Sequence, residues 1–203
     1  MAIRTTFNGK VLALVASLVL AADVPWKVAA SDDAFLIRGE CPYVQLEPNF
    51  KMQEFSGTWY RIGGLPNAEE KSVNCTVYDY HFTGSGFSVS ASGVAADGSP
   101  VSQTSTLLIT SPGVANFTTP IRDFMADLVV LSTDFTSYAC LFSCYNFQRT
   151  HRAHFAWILS RDSTLSMEKI ATCQRNLRKA GIPLNKLRKT NQGGDCDYSG
   201  VSR

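Results

Sequence analysis

From Gly57 onward the chain is written in short runs of alternating side-chain character, and that alternation limits the fold more than any other feature. In one run Phe87, Val89, Ala91 and Gly93 fall on one side and Ser88, Ser90 and Ser92 on the other, the period of two that an extended strand imposes. Runs at 58–65, 75–82, 101–109, 128–131, 138–145 and 154–160 read likewise, with a poorer one at 115–119. Gly84-Ser85-Gly86, Asp97-Gly98-Ser99-Pro100 and Ser132-Thr133-Asp134 supply turns between them. After Ser160 the spacing becomes helical, through Met167, Ile170, Ala171, Gln174, Leu177 and Arg178. Ser163 or Thr164 can cap that helix, Glu168 suits its first turn, and Gly181 with Pro183 ends it. Eight strands and one helix predict an all-β fold: an eight-stranded antiparallel up-and-down β-barrel with one C-terminal α-helix packed outside. Such a barrel encloses either a packed core or one small ligand.

The first 30 residues read as a secretory signal rather than as part of that domain. Arg4 and Lys10 precede a 12-residue apolar run, Val11 to Ala22. A helix of that length rises only about 18 Å, too little to span a bilayer. Small-x-small cleavage sites follow at Val19-Leu20-Ala21 and Val28-Ala29-Ala30. The second is preferred, giving a signal peptide over 1–30 and a single domain over 31–203, secreted to the extracellular space. Residues 1–30 hold Arg4, Lys10 and Lys27 against Asp23, so 19 basic and 17 acidic residues become 16 of each beyond them. A neutral domain lacks the field that phosphate recognition needs, which excludes nucleic acid as a partner.

In an exported chain the six cysteines, Cys41, Cys75, Cys140, Cys144, Cys173 and Cys196, read as three disulfides. Spacing alone leaves all fifteen pairings open. A zinc site at Cys140-x3-Cys144 is the weaker reading, because no second close pair follows.

Three further segments carry a resemblance. Phe55-Ser56-Gly57-Thr58-Trp59-Tyr60 resembles the Gly-x-Trp signature that opens the first strand of lipocalins, a calycin family. Thr133-Asp134-Phe135 resembles the family's second motif, with Phe where Tyr is usual, and Ser160-Arg161 its third. The likeness spans about residues 39 to 198. Within the family the chain is similar to the arthropod coloured lipocalins, crustacyanin and insecticyanin, and beyond them to apolipoprotein D. Gly39-Glu40-Cys41-Pro42, the segment 138–144 with its two cysteines, Cys173, and the tail Lys189-Thr190-x-Gln192-Gly193-x-x-Cys196-x-Tyr198 carry that finer likeness. It implies the pairs Cys41–Cys144, Cys75–Cys196 and Cys140–Cys173. It also implies that Trp59 plugs the closed end of the barrel with Arg161 lying across its indole, both structural.

With Trp59 and Arg161 pointing inward, the period of two assigns the rest. Arg61 follows Trp59 into the interior, and Phe155, Trp157 and Leu159 precede Arg161. Tyr78, Tyr80 and Phe82, then Phe87, Val89 and Ala91, form the bulky faces of the next two strands. Ala139, Leu141 and Ser143 line another, and Val129 and Leu131 are assigned inward in the run before it. Phe82, Phe87 and Leu159 belong to packing near the barrel ends. The candidate ligand-binding residues are Arg61, Tyr78, Tyr80, Val89, Ala91, Leu141, Phe155 and Trp157. Such a wall suits a long, mostly apolar ligand with a few polar atoms. Arg61 must find a carboxylate, a phenol or a ligand oxygen, or else extend to the rim, because an unpaired buried charge is costly.

Other constellations are thinner. His151-x2-His154 reads as surface histidines rather than a metal site, with His154 and His81 facing out of the barrel. Asn74-Cys75-Thr76 and Asn116-Phe117-Thr118 are glycosylation sequons, the second near a loop and the first hindered by its cysteine. No catalytic triad, phosphate loop or paired-carboxylate site emerges, and the rival reading, an isomerase using a strand cysteine, needs a free thiol. The resemblance therefore implies a non-enzymatic secreted carrier of a small hydrophobic ligand. An astaxanthin-type carotenoid chromophore stands first, and a bilin or an apolipoprotein D-like lipid or retinoid cargo second. No membrane span is expected, and oligomeric state stays open, with a homo- or heterodimer of lipocalin subunits among the options.

Overall fold

The computed structural model describes residues 36–199, apart from 112, 122, 123 and 148. The signal segment expected over 1–30 lies outside the described residues. Ten strands form one antiparallel sheet, in the order β1-β9-β8-β7-β6-β5-β4-β3-β2-β10. The barrel proper is β2 (Gly57–Gly64), β3 (Asn74–Phe82), β4 (Gly86–Val94), β5 (Pro100–Ile109), β6 (Asn116–Ile121), β7 (Phe124–Thr133), β8 (Tyr138–Phe147) and β9 (His151–Ser160). It closes where β9 pairs with β2, at Tyr60 opposite Ser160 and Arg61 opposite Leu159. Two short strands escape the periodicity argument because they hold only two or three residues. They are β1 (Leu36–Arg38), paired with β9, and β10 (Arg188–Lys189), paired with β2.

Each element follows from local chemistry. In β4, Phe87 and Val89 are buried while Ser88, Ser90 and Ser92 face water. The β4–β5 turn needs Gly98 at a φ of +86°, and Asp97 holds it by accepting from the Ser99 backbone N–H at 2.9 Å. Helix α2 spans Met167–Lys179, with Arg178 and Lys179 at its carbonyl end. Its cap is Ser166, whose hydroxyl accepts from the Lys169 N–H, rather than Ser163 or Thr164. Those two lie in the preceding turn, where the Ser160 hydroxyl donates to the Thr164 carbonyl at 2.8 Å. Met167, expected on the packed face, is 77 % exposed; Cys173 and Leu177 carry the packing.

Two apolar cores share the barrel wall. The interior core holds Trp59, Phe87, Leu107, Phe117, Leu141 and Leu159. The second lies between the outer wall and α2, and joins Cys140, Phe142 and Ile158 to Cys173, Leu177 and Ile182. The parity of β7 is the reverse of that expected. Val129 and Leu131 belong to the outer core, and Leu128 and Val130 to the interior. Pairing of Leu128 with Ser143 and Val130 with Leu141 sets that parity. A four-residue apolar run offers no polar alternation to reveal it.

Three disulfides clamp the periphery: Cys41–Cys144, Cys75–Cys196 and Cys140–Cys173, the pairs that the resemblance implies. The first two close loops of 103 and 121 residues. By loop-closure entropy each lowers the freedom of the unfolded chain by about 4–5 kcal/mol.

Candidate functional site

One end of the barrel is sealed. A short helix, α1 (Met52–Phe55), enters β2 through Gly57, whose φ of +93° and lack of Cβ leave space for the Arg161 guanidinium. Trp59 is fully buried and its indole N–H donates to the Phe55 carbonyl at 2.8 Å. Arg161 lies over the Trp59 ring, 3.7 Å from its centroid. It also donates to the carbonyls of Phe135, Thr58 and Glu54 at 3.0, 2.9 and 2.8 Å. Phe50 and Phe55 stack their rings into the same plug. Asp134 caps the following turn and binds Lys169 of α2 at 3.0 Å. Burial alone raises its pKa, but hydrogen bonds from Ser137, Tyr138 and Lys169 outweigh it and hold the carboxyl well below the usual range.

Above the plug lies a cavity of about 150 Å³, open at the opposite end of the barrel. Tyr78, Tyr80, Val89 and Ala91 line one side, and Leu141, Phe155 and Trp157 another. These are seven of the eight candidate ligand-binding residues. Arg61 is the exception. It is buried, yet it does not line the cavity, and its partner is a carboxylate from the β2–β3 loop, Glu70, with Nη1 3.3 Å from Oε2. Its Nη2 donates to the Leu65 carbonyl at 2.9 Å. Of the partners that sequence left open to Arg61, the protein supplies its own.

Glu70 is a lining residue that periodicity could not find. The loop around it has no alternation, and only its folding brings the side chain over the wall. Asn67 starts the turn, accepting at its carbonyl from the Glu70 N–H at 3.1 Å and at its side chain from the Glu69 N–H at 3.0 Å. Gln103 of β5, itself in the lining, accepts from the Lys71 N–H at 3.2 Å and fixes the far side. So placed, Glu70 Oε1 accepts from the Trp157 indole N–H at 2.7 Å and from the Tyr78 hydroxyl. Burial first, and then the Glu70 charge, push the phenols of Tyr78 and Tyr80 well above their ordinary pKa, so both remain donors. The cavity therefore has a largely apolar, aromatic wall, with Glu70 in one cluster of polar groups and Gln103, Ser105, Thr119 and Ser143 elsewhere in the lining.

The remaining candidates fall elsewhere. His81 and His151 are exposed. His154 points away from the interior as alternation requires, but it is not on the surface: it is 1 % exposed. There β1 pairs along β9, and Cys41 is bonded to Cys144 directly opposite His154. Burial, with Arg152 adding its charge, lowers the His154 pKa to about 4. Asn74 is exposed at the start of β3, whereas Asn116 is half-buried with its Oδ1 lacking a partner. Accessibility thus runs opposite to the loop-based expectation. Asn116 borders a wider groove of about 780 Å³ outside the barrel, under residues 41–46. Among the described residues no cluster of three or more His, Cys, Asp or Glu could hold a metal ion. No helix among them is long and apolar enough to cross a membrane.

Residues 56–194 match the lipocalin / cytosolic fatty-acid binding protein family. The chain belongs to that family. This lipocalin is 26% identical over 170 residues to the crustacyanin-A1 subunit of Homarus gammarus, covering 81% of this chain and 94% of that one. It is 28% identical to apolipoprotein D of Mus musculus over 169 residues, 79% of this chain and 86% of the relative. With insecticyanin-B of Manduca sexta it shares 33% identity over 147 residues, 68% and 70% of the two chains. Among solved structures, H1 crustacyanin from the lobster Homarus americanus superposes with a TM-score of 0.72 at 27% identity, covering 82% of this chain and 96% of that one. Insecticyanin from Manduca sexta gives 0.64 at 25%, covering 81% and 93%.

Proposed function

We propose that this lipocalin is a secreted, non-enzymatic carrier whose mature chain begins after Ala30 and whose barrel holds a small hydrophobic ligand, an astaxanthin-type carotenoid in first place. The observation that carries the reading is the cavity, sealed below by Trp59 and walled by Tyr78, Tyr80, Val89, Leu141, Phe155 and Trp157, with a minority of polar groups among them. Apolar walls with few polar groups suit cargo whose affinity comes mostly from buried area. At about 150 Å³ the cavity is smaller than the clefts that enclose a drug-sized molecule. It takes one ring of a carotenoid, and the polyene leaves through the mouth. The likeness to apolipoprotein D supports a second reading, a lipid or retinoid cargo with one end in the cavity and the rest extending through the mouth. A bilin fares worse, since its propionates want a cation and Arg61 is engaged by Glu70. All six cysteines are in disulfides, so an isomerase of the thiol type lacks its nucleophile. The same disulfides suit export into an oxidising compartment.

The absorption spectrum of protein purified from its native tissue tests the reading. A broad visible band marks a carotenoid. Paired near-ultraviolet and red bands mark a bilin and overturn the first choice. No visible band, with a lipid in the organic extract, marks the second reading.

A further inference from the structure

Charge is sorted along this domain, although the whole balances. Beyond residue 30 basic and acidic residues number 16 each, yet from Ile170 to Gly194 the chain has six Arg and Lys and no Asp or Glu. Arg175, Arg178 and Lys179 stand on the outward side of α2, three and four residues apart, while Cys173 and Leu177 face the wall. Lys186 follows in a 3-10 turn, Leu184–Lys186, that packs against α2, and Arg188 and Lys189 form β10. All six are exposed. In the bend between helix and turn, Arg152 of β9 brings its guanidinium beside Gly181.

At the closed end of the barrel the cations Lys51 and Lys169 are each paired, with Glu54 and Asp134. None of the six has an ion pair among the described residues. The carbonyl end of α2 accounts for Arg178 and Lys179, and Arg188 leans on the carbonyls of Asn185 and Leu187. Neither reason serves Lys186 and Lys189, whose ammonium groups have no hydrogen-bond partner among the described residues. Like charges gathered on one strip repel one another, and a bound polyanion relieves that.

We propose that this strip, from α2 through β10, binds a sulfated polysaccharide. The proposal rests on the secreted reading, because such chains are polyanions met outside the cell. At physiological salt only charges within about 8 Å are felt, so the strip acts as a basic surface on a neutral domain. Its composition selects the partner, since no large apolar side chain of the strip is exposed. A bilayer surface is held by apolar side chains that insert as well as by cations. A nucleic-acid single strand needs aromatic rings to stack on. A sulfated polysaccharide needs neither, because its charges lie on the outside of the chain, within reach of the Arg fork and the Lys ammonium.

The test titrates a heparin oligosaccharide calorimetrically into the protein secreted from host cells, over a series of NaCl concentrations. The wild type should bind, with log affinity falling linearly in log salt. Lys179→Gln/Lys186→Gln/Lys189→Gln should weaken binding at least about tenfold and flatten that slope by about three, one for each cation lost. Lys51→Gln/Lys71→Gln, off the strip, should change the affinity less than about twofold. Hyaluronan, which carries carboxylates and no sulfates, should bind at least about tenfold more weakly than heparin. Absence of heparin binding at low salt, binding that ignores salt, or equal losses in the two variants would each overturn the strip. Tighter binding of vesicles of equimolar phosphatidylcholine and phosphatidylserine, or of duplex DNA, would give the strip another partner and overturn the polysaccharide. Should the triple variant fail to fold, the salt series and the hyaluronan comparison on the wild type still decide. Export is read separately, from the presence in the medium of a chain that begins after Ala30, so its failure is not confused with failure of the strip.

Discussion

At the closed end of the barrel, Arg161 gives its donors to three backbone carbonyls and rests on Trp59. Toward the mouth, Arg61 gives one donor to Leu65, leans on Glu70, and leaves its Nε without an acceptor. Both arginines are held among aromatic residues on the barrel wall, yet one is complete and the other is not. The plug at the sealed end satisfies its polar groups within the chain, as a part concerned only with stability should. The ion pair toward the mouth keeps two buried atoms without a hydrogen bond, Arg61 Nε and Glu70 Oε2, a cost that the plug does not carry.

The sharpest way to break this contrast is at the plug. Trp59→Ala should lower the unfolding free energy by about 3–5 kcal/mol, the range for emptying a large aromatic site. Urea denaturation measures it, and a loss under about 1 kcal/mol would mean that Trp59 is not the keystone drawn here. Arg61→Met comes next. It leaves the Glu70 carboxylate buried without its cation, at a cost of about 3 kcal/mol. The paired variant Arg61→Met/Glu70→Gln should recover most of that loss, because a neutral pair needs no partner charge. If the double variant is as unstable as the single one, the ion pair is not what Arg61 contributes.

Arg161→Lys should cost less, about 1–2 kcal/mol, since one ammonium cannot serve three carbonyls or stack flat on the indole. Its ligand affinity should match the wild type, which separates plug from cavity; a large affinity change would join them. The smallest effect belongs to His154, on the covered outer face of the wall. Unfolded, its imidazole takes a proton near pH 6.5; folded, only near pH 4. Between those values the unfolded state binds more protons, so stability is complete above pH 6.5 and falls as the pH drops toward 4. Urea midpoints against pH should show this slope, and His154→Gln should flatten it.

Sequence reached the barrel, the helix and seven of the eight candidate cavity residues because a wall with one wet and one dry face writes its parity into the chain. Phe87 and Val89 against Ser88 and Ser90 are the clearest instance. Where both faces are dry the signal fails. Val129 and Val130 are equally apolar, and only the cross-strand register to Phe142 and Leu141 tells outer core from inner. The same loss hid His154, which points outward into a covered face. Glu70 was beyond reach for another reason. A carboxylate in an irregular loop reads as a solvated charge, and its burial depends on the Asn67 turn and on Gln103, 33 residues farther along. Arg61 did signal that some partner was needed, since an inward guanidinium demands one. It could not say which.

Each disulfide joins a segment outside the barrel to a strand of its wall: Cys41 and Cys173 to β8, and Cys196 to β3. None stitches one stave of the barrel to its neighbour. The cladding is riveted on, while the girth of the vessel is kept by non-covalent bonds and packing between the staves. Staves joined in that way can spread by small changes in twist without any covalent bond having to yield. A vessel so made can widen at its rim to admit cargo while its outer fittings stay in place.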